Sequence, residues 1–297
     1  MVLWQGVGVI AHTVALVGWW FPLLVAWYLF PLLAMGVSWA LVFPPGVGPG
    51  WQALTYINYL GASVNALLPV GAIGGELVKA LMVIRRGVSG AMAGAAVVTD
   101  KAAQAASQLA IGLMGVGALI YLEAHRDIVA GLLGATLFFC ALLAVFFWLQ
   151  REGMFSRLAR AVERMTRGRV WWDVVGGASQ LDAALDRIYR HRWRITGACT
   201  WRLAARLLFV VETWVIANLM GHPIGWIEAL MIESLTQTVR GMAFVVPSGL
   251  GAQEGAFLLL AASAGLPPEV ALSLSLVKRG REIVAKYPVS NLPKIGD

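Results

Sequence analysis

What this sequence lacks first is charge: no Asp, Glu, Lys or Arg occurs between residues 1 and 75. Of 297 residues only 13% are charged while 59% are hydrophobic, where a soluble domain carries roughly a quarter charged residues. An ordinary soluble globule is thereby excluded. Runs such as "GWWFPLLVAWYLFPLLAMGVSWALVF" (18–43) exceed the ~20 apolar residues that cross a bilayer core. Cysteine is scarce too. Cys140 and Cys199 lie in apolar runs without a paired or metal-ligand spacing, so neither a disulfide framework nor a redox motif is expected. The uncharged start has no basic n-region, so the first segment reads as retained rather than cleaved.

The net charge of +7 has its ordinary source in the positive-inside bias of membrane loops, and nucleic acid is not expected as a partner. His12, His125, His191 and His222 are dispersed and form no metal spacing. "GLGAQEG" (249–255) places Glu254 where a dinucleotide fingerprint needs glycine, so no cofactor is expected either.

What is present is a single all-α transmembrane domain over 1–297. Hydropathy and helix breakers divide it into membrane segments at about 20–42, 51–84, 88–121, 128–149, 195–220, 224–245 and 247–287. The polar stretch 150–194 holds ten Arg against five acids and reads as a cytoplasmic amphipathic segment. With it in the cytoplasm, Arg85 and Arg86 become cytoplasmic as well. The same count does not fix the side of Lys286.

The segments 51–84 and 247–287 are interrupted by Pro and Gly, so they read as broken or re-entrant helices. "LLPVGAIGGE" (67–76) and "VVPSGLGAQE" (245–254) share one layout. A displacement of 178 positions pairs Pro69 with Pro247, Gly71 with Gly249, Glu76 with Glu254, Gly87 with Gly265 and Asp100-Lys101 with Lys278-Arg279. This reads as an internal duplication, with elements at about 65–104 and 243–282. Pro69, Gly71, Gly74 and Gly75, then Pro247, Gly249 and Gly251, are the helix-break residues. Duplicated halves with discontinuous helices are a common plan of secondary transporters, whose freed backbone groups meet polar cargo near the midplane.

A charge at membrane depth costs ~2.5–3.5 kcal/mol on insertion scales and usually faces the bundle interior. Glu76 and Glu254 are therefore expected to face inward, the two broken elements forming one site. Lys79, three residues after Glu76, is a natural partner. Arg202, Arg206 and Glu212 share one span, and Glu233 and Arg240 share a helix face in the next; both sets read by default as paired structural charges. Lys278, Arg279, Arg281 and Glu282 are expected to form the polar end of a cargo site, three cations with one anion leaving positive charge for an anionic headgroup. With Arg240 and Gln253 these residues make up the candidate lipid-binding set.

The stretches 65–104 and 246–283 resemble the flippase-like transmembrane family related to the membrane half of lysylphosphatidylglycerol synthetase, most nearly its hopanoid-biosynthesis branch. The element Pro247, Gly249, Gly251, Glu254 and Gly255 is the most specific part of the likeness. The resemblance implies a multi-pass inner-membrane protein that moves a hopanoid or a phospholipid, with membrane lipids and lipid-synthesis or export proteins as partners. Two departures stand out: the family usually has a further span upstream, and "AKYPVSNLPKIGD" is not its usual apolar finish. The alternatives are the membrane part of an aminoacyl-phospholipid synthase, whose catalysis would need a large soluble domain where the longest polar stretch here is 150–194, and a scaffold for lipid-synthesis enzymes. No enzymatic activity is expected of the chain itself.

Overall fold

A computed structural model of the protein describes residues 17–67, 73–122, 134, 177–242 and 252–286. All regular structure among them is helical. A 3-10 turn at Gly18–Trp20 leads into α1 (Phe21–Trp27) and α2 (Leu29–Val42). There follow α3 (Trp51–Leu67), α4 (Ile73–Ile84), α5 (Gly90–Tyr121), α6 (Ala178–Tyr189), α7 (Arg192–Leu219), α8 (Trp226–Met242), α9 (Ala252–Ser263) and α10 (Pro268–Lys286). The expected segment 128–149 and the arginine-rich stretch 150–176 lie outside the described residues.

Local chemistry sets several of these boundaries. Ser89 is the N-cap of α5, its hydroxyl accepting from the Met92 N–H, and Pro268 opens α10 where its missing donor costs nothing. Gly87 and Gly265 close the turns ahead of α5 and α10 with φ of 87° and 75°, a region most side chains avoid. They are 178 positions apart. The helices follow the same displacement: α3, α4 and α5 begin at 51, 73 and 90, and adding 178 gives 229, 251 and 268, against observed starts of 226, 252 and 268.

Contacts fix the directions of these helices. Arg194 donates to the carbonyls of Leu41 and Ala40, Ser38 to the carbonyl of Ala198, and the Trp27 indole to that of Leu208. Numbers fall along one helix as they rise along the other, so α2 and α7 are antiparallel. Each is the helix that precedes a broken element. By the same test α5 and α8 are antiparallel, through Gln108 with Thr238 and the close approach of Gly115 to Ser234. α10 runs parallel to α8 through Lys278 with Glu233 and Glu282 with Arg240, hence opposite to its counterpart α5, as α7 runs opposite to α2, the inverted arrangement found in many transporters.

Each broken element is a hairpin. Asn65 on α3 accepts from the Gly75 N–H at 2.7 Å, satisfying one of the orphan donors at the start of α4. A Cβ on Gly75 would collide with the Gly61 carbonyl, and one on Gly61 with Lys79. The small residues thus let two antiparallel backbones meet. The α3–α4 hairpin enters from the end that holds residues 43–50 and 85–89. The α8–α9 hairpin enters from the opposite end, beside 220–225 and 264–267.

Two ends of unlike charge result. At one end lie exposed Arg85, Arg86, Arg190 and Arg192, and α6 docks there. Its buried face, Leu181, Leu185 and Ile188, joins Val83 and Val88 in one apolar cluster. The opposite end, among the described residues 219–228 and 263–269, holds Glu228 and Glu269 and no Lys or Arg.

This corrects the segment count. Residues 224–242 form one arm of a hairpin rather than a full span, so α10 returns its Lys286 end to the basic side. The positive-inside rule and the re-entrant reading then agree. Residues 178–189, within the expected amphipathic segment, form a helix with one buried apolar face that packs on α5 and one exposed face. Two described helical stretches, Gly18–Val42 and Gly90–Tyr121, are long and apolar enough to cross a bilayer alone.

Candidate functional site: a polar ladder along α7

One face of α7 carries Arg202, Arg206, Phe209 and Thr213, spaced by four, three and four residues, so they line up along one side of the helix. At 1.5 Å per residue the row spans about 16 Å. Contacts with α5, α8 and α10 turn it into a ladder of polar groups running between the two hairpins.

The rung nearer the basic end centres on Asp100, which is fully buried. It accepts from Lys79 at 2.9 Å and pairs with Arg202. Glu76, in the first turn of α4 where a helix dipole favours a carboxylate, pairs with Lys79 at 3.1 Å and Lys101 at 2.7 Å. The Glu76 to Lys79 partnership is the one the three-residue spacing predicts. Gly74 and Gly75 fall inside this first turn rather than in the break, and Pro69 and Gly71 lie outside the described residues.

The rung nearer the acidic end centres on Glu233. It pairs with Lys278, and it accepts from Thr213 at 2.6 Å and Gln237 at 2.8 Å. Lys278 also donates to Thr213 at 2.7 Å. One turn further along α10, Arg281 pairs with Glu212 at 2.8 Å and lies over the rings of Tyr28 and Phe209. Arg240 meets Glu282 at 3.3 Å, and Arg279 is half-buried and also engaged.

The expected surplus of positive charge at Lys278 and Arg281 is therefore corrected. Glu233 and Glu212 arrive from α8 and α7 to neutralise them, because a cation removed from water is tolerated only with a close counter-ion. The expected charge pairs are also re-partnered. Arg202, Glu212 and Glu233 find partners on other helices, 102, 69 and 45 residues away, and not within their own spans. Gln253 and Glu254 fall in the first turn of α9, with side chains outside the described residues, as are Pro247, Gly249 and Gly251. The two hairpins enter from opposite ends, so what joins the site is α7.

Between the rungs sits Arg206, which the sequence offered only as one of a structural set. It donates to Ser107 at 3.0 Å, to Gln237 at 2.7 Å and to the Gln104 carbonyl at 3.2 Å. Gln237 continues to Glu233, and the Gln104 side chain accepts from Lys101 at 3.1 Å. A connected line of polar contacts thus runs from Glu76 to Lys278. No group of three or more metal-ligating side chains occurs among the described residues.

Inverted helical halves around an ion-paired interior define a membrane helix bundle of transporter-like plan. The chain belongs to the lysylphosphatidylglycerol synthase transmembrane-region family, whose model matches residues 1–285. It is thereby a membrane protein of a family tied to lipid synthesis. No curated protein and no solved structure matches the chain.

Proposed function

We propose that the protein is a multi-pass translocase of the cytoplasmic membrane, moving a lipid between leaflets or handing it to export partners, without catalysis of its own. The observation that carries this reading is the ladder along α7 between hairpins that enter from opposite ends. A lipid headgroup needs a polar route through hydrocarbon, and an inverted pair of halves is a known way to open such a route to each side in turn. The cargo is a hopanoid or a phospholipid, as the resemblance implies. The basic end faces the cytoplasm by the positive-inside rule.

The test is reconstitution in vesicles with a headgroup-labelled phospholipid and an impermeant quencher. Quenching of the inner-leaflet label beyond that of protein-free vesicles supports translocation; a rate equal to theirs, with correctly folded protein, sinks it. A second reading rests on the family match: the chain is the membrane part of an aminoacyl-phospholipid synthase. It requires that aminoacyl transfer by a separate catalytic protein rise when this chain is supplied.

A further inference from the structure

The charges of the ladder do not balance, and the imbalance has an address. At the first rung Glu76 and Asp100 meet three cations: Lys79, Lys101 and Arg202. At the second rung Glu212 and Glu233 meet two, Arg281 and Lys278. Arg206 lies between and makes no ion pair among the described residues. Its guanidinium is held by a hydroxyl, an amide oxygen and a backbone carbonyl, all neutral. The carboxylate one link further, Glu233, is already shared by Lys278, Thr213 and Gln237.

A guanidinium kept charged inside a membrane bundle needs an anion. The neighbouring acceptors hold Arg206 in place without cancelling its charge, which is the preorganised state of a binding group rather than of a structural pair. Lys101, whose side chain is 38% exposed, is linked to Arg206 through Gln104 and forms the outer edge of this group.

We propose that Arg206, with Lys101 at its outer edge, binds the phosphate of an anionic lipid headgroup part-way across the bilayer. Guanidinium suits this role because its planar fork takes two phosphate oxygens at once. The assignment rests on the lipid-translocase reading for its cargo, and it selects an anionic headgroup over an uncharged one. It also moves the cargo contact from α10, where the cations are neutralised, to α7.

The experiment measures binding of short-chain phosphatidylglycerol to the purified full chain, with short-chain phosphatidylcholine and inorganic phosphate as competitors. Arg206→Gln is expected to weaken binding at least roughly tenfold. Ser107→Asp supplies the missing carboxylate at a position already 3.0 Å from the guanidinium without touching the Gln237 to Glu233 bond, and is expected to weaken binding equally while the chain stays folded. That second variant keeps the proposal testable even if Arg206→Gln does not fold. Unchanged binding in folded Ser107→Asp overturns the site. Equal competition by phosphatidylcholine overturns the anionic selectivity, and equal competition by inorganic phosphate reassigns the site to a free anion and overturns the lipid source. Arg206-dependent binding without any translocation in vesicles sinks the translocase reading and leaves the site standing.

Discussion

Lys79 and Asp100 touch across α4 and α5 at 2.9 Å, and the positions 178 residues on, Phe257 and Lys278, touch across α9 and α10, with the ammonium 5.8 Å from the ring centroid. One contact is an ion pair and the other a cation over an aromatic face. The geometry is repeated while the chemistry is exchanged. Lys278, having no carboxylate opposite it at 257, draws Glu233 from α8 instead.

Asp100→Asn leaves Lys79 and Arg202 sharing one weak neutral acceptor in a fully buried site. Breaking a buried pair by removing one partner costs about 3–5 kcal/mol. Unfolding in detergent is expected to show a loss of that order. A change within the noise of a surface substitution would remove Asp100 as the anchor of its rung.

Arg281→Gln strands Glu212, and Glu212→Gln strands Arg281. Each single variant is expected to be clearly less stable than the parent, and the double variant to recover part of the loss, with a coupling of about 1–3 kcal/mol in a double-mutant cycle. Strict additivity would show that the pair is not a structural unit and would reopen a cargo role for Arg281.

Gly75→Ala puts a methyl group against the Gly61 carbonyl and is expected to cost about 1–3 kcal/mol by overpacking. Gly117→Ala on α5 meets nothing within 4 Å and is expected to be neutral or slightly stabilising. Equal behaviour of the two variants would mean that the hairpin does not depend on close approach at Gly75.

The two ends of the bundle are expected on opposite sides of the membrane. With Cys140 and Cys199 replaced, Ser179→Cys should resist an impermeant thiol reagent in intact cells and His222→Cys should react. Rapid reaction at position 179 with protection at 222 would invert the orientation. Reaction at both positions in intact cells would mean the ends are not separated by a bilayer.

Much of this was legible in the residues, for reasons that differ by feature. The interruptions between α3 and α4 and between α8 and α9, and the displacement of 178, are written in local chemistry, since glycine and a first-turn carboxylate act within a few residues. The Glu76 to Lys79 pair is equally local. The pairs of Asp100 with Arg202 and of Glu212 with Arg281 were not legible, because they join helices far apart in sequence and depend on which helices run antiparallel. Hydropathy also could not separate a full span from one arm of a hairpin: 224–242 carries three charged residues against five in α7, and only its contacts with α7 and α9 show that it turns back. Arg206 escaped attention because its significance lies in what it does not pair with.

An inverted pair of halves would, if identical in sequence, have two shapes of equal energy related by a two-fold rotation, one open to each side. Here position 100 is an aspartate and its counterpart 278 a lysine, so exchanging the two shapes exchanges environments that are not equivalent for either charge. One shape must lie lower than the other. On the translocase reading, the molecule would have a built-in resting side, and a cycle through the other shape would run uphill until a bound anion or another source of free energy supplied the difference.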